Sequence, residues 1–283
     1  MTPPPAGVGT EDRAPRPIRL VDSAFCQRLK IFFTDIDDTL TDRGRLPESS
    51  LEALYRLERC GVAVVPVTGR PAGWCDHMAR MWPVRAVVGE NGAFYFSYDR
   101  ERRLMRRVFL QAERERRQSF RKLSTLARRI TRRFPWVTTA ADQPFRLTDH
   151  AFDLCEDRTP PTPEQLKALC AFLSVRRPGP HYKISSIHLN VWWGEYDKKT
   201  CLLRLLDDLA GEGERVLPGD CLYIGDSPND EPLFAALPVT AAVANIRRFL
   251  PELRNPPVFL ADGESAAGFL ETVNIILDKR RSL

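Results

Sequence analysis

The sequence predicts an α/β protein in which a parallel sheet is interrupted once by an inserted α+β domain. Three observations predict it. First, short uninterrupted apolar runs recur at residues 30–34 (KIFFT), 62–67 (VAVVPV) and 221–224 (CLYI). They are rich in β-branched or aromatic residues, as strands buried on both faces are. Second, each run leads straight into a polar cluster: Asp35-Ile36-Asp37-Asp38-Thr39, Thr68-Gly69-Arg70, and Gly225-Asp226-Ser227-Pro228-Asn229-Asp230. Open α/β sheets bind ligands at the carboxyl ends of their strands, so these groups stand where such a sheet builds a site. Third, the pattern changes character from about residue 97 and returns near residue 195.

The elements are justified in order. Residues 1–27 begin MTPPPAGVGTEDRAPRPIR and read as a disordered tail, rich in Pro and polar residues. After the strand at 30–34, a polar loop leads to a helix over 51–59, closed by Gly61 as the residue after its cap. The strand at 62–67 completes a βαβ unit, whose right-handed crossover puts Asp35 and Thr68 on one edge of the sheet. A helix over 71–82 and a strand over 84–88 end at Glu90-Asn91-Gly92. Residues 100–108 suggest a short charged strand pair. Residues 111–134 form a helix with Phe120, Leu123, Leu126, Ala127, Ile130 and Phe134 on one face, and Pro135 ends it. A helix over 163–173 and an alternating strand over 187–193 complete the inserted segment. Helices over 201–209, 228–237 and 266–277 then alternate with strands at 221–224, 239–243 and 258–260. The expected domains are a core of residues 28–96 and 195–283 and an inserted domain of residues 97–194.

At 283 residues, 43% hydrophobic and 28% charged, the chain has the composition of an ordinary globular protein with real cores. Its net charge is +5, but fourteen Lys/Arg against three Glu lie between Arg100 and Arg133. The basic character is therefore local. Seven cysteines, none in a CxxC spacing, read as reduced core residues of a cytoplasmic protein without a zinc site. No apolar run approaches membrane-spanning length, and the N-terminus lacks the apolar stretch of a signal peptide.

Each cluster has a bland and a functional reading. Asp35 and Asp37 flank one residue at a strand end, where their charges repel unless a cation or a shared proton compensates. An acidic turn is the plain alternative. Ser227, Pro228, Asn229 and Asp230 suit a helix start, whereas Asp226 precedes the cap at the strand end. Thr68-Gly69-Arg70 suits an anion at a strand-to-helix turn, or is simply such a turn. Lys198 and Lys199 are either solvated or reach back to a phosphate. His188, Asn190, Trp192, Trp193 and Tyr196 line a ligand site or belong to a core. The paired arginines of residues 100–133 form a solvated face or bind nucleic acid. No nucleic-acid-binding motif accompanies them, so nucleic acid is not the expected partner.

In order and spacing, DIDDTLT, VTGR, a lysine before a helix and GDSPND resemble the haloacid dehalogenase-like phosphohydrolase superfamily. The likeness runs over about residues 30–267. Insertion between Thr68 and Lys198, with Asn91-Gly92-Ala93 and Val243-Ala244-Asn245, resembles its type IIB branch of Cof-like and sucrose-phosphatase-like proteins. The resemblance implies a Rossmann-like core with a cap domain. It also implies a Mg²⁺-dependent phosphatase of a small phosphorylated metabolite, most often a sugar phosphate, with a phosphomutase as the alternative. By the same resemblance Asp35 is the nucleophile and Asp37 the general acid/base. Thr68 binds phosphate and Lys198 neutralises it. Asp35, Asp37, Asp226 and Asp230 make the Mg²⁺ site. Asp38, Gly69, Arg70, Asn91, Asn229 and Asn245 join Thr68 and Lys198 in the phosphate and substrate pocket. The family usually has Gly after the lysine; Lys199 stands there instead, so the register favours Lys198 and leaves Lys199 open.

Overall fold

The structure, a computed structural model, describes residues 14–175, 179–185 and 187–281. The elements of the core are β1 (Arg16–Pro17), α1 (Ser23–Arg28), β2 (Ile31–Thr34), α2 (Glu48–Arg59), β3 (Ala63–Pro66), α3 (Ala72–Met81) and β4 (Val87–Gly89). A hairpin of β5 (Phe94–Asp99) and β6 (Leu104–Phe109) comes next. The cap holds α4 (Glu113–Arg133), β7 (Thr138–Thr139), β8 (Asp149–Asp153), α5 (Pro163–Ser174), β9 (His181–Ile184) and β10 (His188–Trp192). The chain then returns to the core through α6 (Lys198–Gly211), β11 (Cys221–Gly225), α7 (Glu231–Phe234), β12 (Thr240–Ala242), β13 (Phe259–Leu260) and α8 (Ser265–Arg281).

Six strands form the central sheet in the order β1-β13-β12-β11-β2-β3, all pairings parallel. Strands buried on both faces send alternate side chains to opposite layers. Phe32, Val64, Leu222, Ile224 and Ala241 pack toward α1, α2 and α8. Ile31, Phe33, Val65, Cys221 and Tyr223 pack toward α6, whose Cys201, Leu202 and Leu205 meet them. This two-sided burial is why the runs read as continuously apolar. The cap sheet is antiparallel, in the order β7-β8-β10-β9. Leu123, Leu126, Ala127 and Ile130 of α4 and Leu169 and Leu173 of α5 bury its Phe152, Leu189 and Val191.

Several expectations are corrected. The tail expected over residues 1–27 is shorter: β1 pairs with β13, and Ile18 and Phe25 are buried in the core cluster under α8. Residues 1–13 of that expectation lie outside the described residues. The expected boundary at residue 97 falls inside β5. That strand pairs with β4 and carries Phe94 and Phe96 into a cluster with α3. Its hairpin therefore belongs with the core layer, and the cap sheet begins beyond it. The helix expected over 201–209 begins at Lys198, because Asp197 caps it by accepting a hydrogen bond from Thr200 N at 2.7 Å. Phe120 is 45% exposed and does not anchor α4. No described helix is long and apolar enough to cross a membrane.

Candidate active site

Parallel pairing of β2 with both β3 and β11 brings the three polar clusters to one edge of the sheet. Asp35 continues β2, its N–H donating to the Ile224 carbonyl of β11 at 2.9 Å. The chain turns at once, with Asp38 in a left-handed conformation (φ 57°). Asp226 comes directly after β11. The Asp35, Asp226 and Asp230 carboxylates offer oxygens within 4.8 Å of one another.

Lys198 enters this group from the N-terminus of α6. Its Nζ donates to Asp35 Oδ1 at 2.7 Å and Asp230 Oδ1 at 2.9 Å. The approach depends on Gly92 (φ +99°), where a Cβ would collide with the Asp197 carbonyl oxygen and lie 2.6 Å from Lys198 N. Lys199 does not line the cavity. Burial alone would disfavour the Lys198 charge, but Asp230 and Asp35 outweigh it and raise the ammonium's proton affinity. Burial pushes the Asp35 carboxyl up to about 7, with Asp230 and Asp37 adding to the rise and Lys198 opposing it. Burial, then Asp230 and Asp35, also raises Asp226 well above the carboxylate range.

Asp230 plays a different structural part from Asp35 and Asp226. Its Oδ1 accepts from Lys198 and from Tyr223 Oη at 2.5 Å; its Oδ2 accepts from the backbone N–H of Asp226 at 3.0 Å and Ser227 at 3.3 Å. Gly225 leaves room for it, since a Cβ there would collide with Asp230 Oδ2. Four donors occupy Asp230, so it braces Lys198 and the Asp226 turn from below. The Asp226 carboxylate, in contrast, accepts no hydrogen bond among the described residues. A buried carboxylate without a donor beside a second carboxylate calls for a cation. The donors are all oxygen, which suits a small hard divalent ion keeping several waters. Asp35 and Asp226 fit that role.

Asp37 faces the same cavity, and Arg70 binds it: Nη2 donates to Oδ1 at 2.7 Å, and Nε approaches both oxygens at 3.1 Å. The other guanidinium arm reaches the cap, where Nη1 donates to Glu156 Oε1 at 2.7 Å. His188 Nε2 lies 2.9 Å from Glu156 Oε2. His188 and Arg70 together hold the Glu156 carboxyl down at about 2. Arg146, also of the cap, is fully buried and donates to the Gly69 carbonyl at 2.9 Å while paired with Asp142 and Asp149. Glu90 completes the junction by accepting from Ala72 N and from the Leu147, Thr148 and Asp149 N–H groups of the cap. Burial, then Asp149, raises the Glu90 carboxyl to about 7.

These groups enclose a cavity of about 280 Å³. Asp35, Asp37, Lys198 and Asp226 line it together with Gly69, Arg70, Asn91 and Asn229. Asn91 (φ 58°) packs against Gly69, and its buried Nδ2 has no hydrogen-bond partner. Asn229 donates to the Ile184 carbonyl of the cap at 2.7 Å. His188 and Asn190 face the cavity, whereas Trp192 and Tyr196 pack in the core cluster with Ile36 and Phe94, and Trp193 packs in the cap.

Two expected pocket residues are elsewhere, and a third, Thr68, is buried beside the cavity-lining Gly69. Asp38 turns away into a separate cavity beside Arg43 and Ser265. Asn245 caps α8, its Oδ1 accepting from Ser265 N at 2.7 Å. Thr68 is 1% exposed and does not line the cavity; its Oγ1 accepts from Arg70 N at 3.0 Å and shapes the turn. Sequence reasoning missed Lys183, Arg248, Glu156, Arg146 and Glu90. None carries a local motif: Glu156, Arg146 and Lys183 reach the site through the cap, and Arg248 and Glu90 through core segments distant from the polar clusters.

A family model for haloacid dehalogenase-like hydrolases matches residues 32–117. No curated protein sequence matches the chain. Among solved structures, a Thermoplasma acidophilum protein is 19% identical with TM-score 0.67, covering 88% of this chain and 98% of its own. The sucrose-phosphatase of Synechocystis sp., solved with sucrose and phosphate, is 16% identical with TM-score 0.60, covering 88% and 98%. A subclass IIB sugar phosphatase is 14% identical with TM-score 0.55, covering 82% and 93%.

Proposed function

We propose that this chain is a haloacid dehalogenase-like hydrolase, and within that family a Mg²⁺-dependent phosphatase of a small phosphorylated metabolite, with sugar phosphates as the first candidates. One observation carries the reading: Lys198 bridges Asp35 and Asp230 at the sheet edge, beside the donor-free Asp226 and facing Asp37 across one cavity. The fold shared with sugar phosphatases supports the substrate class. Its cysteine usage, typical of a reducing compartment, supports a cytoplasmic location.

Asp35, Asp226 and the Asp37 carbonyl would hold the Mg²⁺ ion, which would supply charge neutralisation to the phosphoryl oxygens. Asp35 attacks phosphorus and forms an aspartyl-phosphate, splitting a difficult displacement into two. Asp37 gives a proton to the leaving oxygen and takes one from the attacking water in the second half. Arg70 fixes the position of the Asp37 carboxylate through Nη2 and Nε. Lys198, Asn91 Nδ2 and the backbone around Gly69 receive the phosphoryl oxygens, where charge spreads in the transition state. The cap excludes bulk water and selects the leaving group.

The test is phosphate release from a panel of phosphorylated metabolites. Asp35→Asn keeps size and removes the attacking charge, so turnover is lost while the fold survives. Chelation abolishes activity and magnesium restores it. A phosphomutase would share these residues and release no net phosphate. Wild-type release from Asp35→Asn, or full activity in excess chelator, would overturn the mechanism.

A further inference from the structure

The cations that face the cavity divide into two sets. Lys198 is matched by Asp35 and Asp230, and Arg70 by Asp37 and Glu156. Lys183 and Arg248 are not matched. Lys183 is half-buried on cap strand β9, and Arg248 stands on the core segment after β12; both line the cavity. Among the described residues neither side chain forms an ion pair or a hydrogen bond, and the Arg248 guanidinium only lies over the neighbouring Phe249 ring at 4.7 Å. Burial, then Lys198, lowers the proton affinity of Lys183, and the more distant Asp230, Glu231 and Asp197, none of them paired with it, only partly oppose this. A half-buried ammonium without a carboxylate partner costs stability, and a neutral sugar does little to offset that cost. The Mg²⁺ and phosphoryl end already has its own complement of charge. Lys183 and Arg248 are a surplus, one from each domain, on the same cavity.

We propose that Lys183 and Arg248 form a second anion subsite, and that the substrate carries a carboxylate or a second phosphate beyond the phosphoryl group that is removed. The inference rests on the phosphatase reading and narrows it: the preferred class is a phosphorylated sugar acid or a sugar bisphosphate rather than a neutral sugar phosphate. Lys183 sits on the cap, so the second anion also draws the cap onto the core, a charge-assisted contact that a neutral leaving group does not make.

The experiment compares glucose monophosphate, phosphogluconate and glucose bisphosphate as substrates at one fixed ionic strength, by phosphate release, for the wild type, Lys183→Gln and Arg248→Gln. The quantity read is the ratio of kcat/KM for each doubly acidic substrate to that for the monophosphate. Being internal to each variant, it does not depend on the fraction folded. We expect the wild-type ratio to exceed roughly 10 for at least one doubly acidic substrate and to fall toward unity in both variants. Which of the two gives the larger ratio identifies the second group as carboxylate or phosphate. A wild-type ratio near unity, or variants that slow all three substrates alike, overturns the subsite. The parent reading is tested separately with para-nitrophenyl phosphate, which has no second anion. Hydrolysis by the wild type and not by Asp35→Asn leaves the phosphatase standing even if the subsite falls.

Discussion

At the scale of single residues, the site is decided by which carboxylates are satisfied. Asp230 holds four donors and Asp226 none among the described residues. The two ends of one motif thus differ: Asp230 organises the turn, and the Asp226 carboxylate is left without a donor. Lys198 joins Asp35 to that brace. Lys198→Ala should cut kcat by about 10²-fold or more, because it removes a charge aimed at the transition state, whereas Lys199→Ala should be mild. Steady-state phosphate release, with circular dichroism as the check on folding, measures both. The reverse ranking would show that α6 presents the other lysine.

At the scale of elements, α6 and α4 make opposite predictions. The start of α6 touches the backbone of the turn at Gly92, and a methyl group there collides with the Asp197 carbonyl. Gly92→Ala, far smaller than any active-site truncation, should displace Lys198 from Asp35. Turnover should fall sharply, and thermal stability should drop as well, since φ +99° also strains an L residue. Unchanged turnover would mean that α6 tolerates a shift in its first turn. The basic helix α4 is held by Leu123, Leu126, Ala127 and Ile130, so its arginines are dispensable for folding. On the neighbouring strand β6, Arg107 pairs with Asp76 at 2.8 Å and Arg106 with Glu212, which removes these two from any free basic face. Replacing Arg114, Arg117 and Arg121 with Gln should leave the melting temperature within a few degrees. If this face steers anionic substrates, kcat/KM falls at low salt and recovers at high salt. A salt-independent loss of kcat would place one of these arginines against substrate.

At the scale of the whole molecule, the cap is fastened to the core by buried charge rather than by apolar surface alone. Arg146, Glu90 and the Arg70–Glu156 pair all cross that junction. Two of the carboxyls in this region make stability depend on pH. Asp35 and Glu90 titrate at about 7 in the folded chain, against ordinary values of 3.8 and 4.5. The folded state therefore binds more protons than the unfolded state between about pH 4 and about pH 7. Both groups contribute stability below that window and lose it as pH rises through it. A divalent cation favours ionised Asp35 and cancels its share, so magnesium should raise the melting temperature more at about pH 8 than at about pH 5. Melting curves in chelator and in magnesium check both signs. Stability that rises through the window in chelator would contradict the burial of these carboxyls.

The sequence by itself determined the strands, their parallel class and the place of Asp35 at the sheet edge. Residues 31–34, 63–66 and 221–225 are buried on both faces, and two-sided burial leaves an unbroken apolar run that composition alone reveals. Asp35, Thr68-Gly69 and Asp226 were legible because a parallel sheet collects the C-terminal ends of its strands, and the residues just beyond them, on one edge. Asp38 and Asn245 misled for a local reason: a motif gives spacing, but a left-handed turn or a helix cap decides where the side chain points. The beginning of α6 was misplaced because its cap, Asp197, acts through a carboxylate that accepts from a backbone N–H and leaves no apolar mark. Only the tertiary structure could place Glu156, Arg146, Lys183 and Arg248. They come from distant segments with no period or motif of their own. Their meaning arises from charge matching across the junction of two domains, which a linear chain does not display.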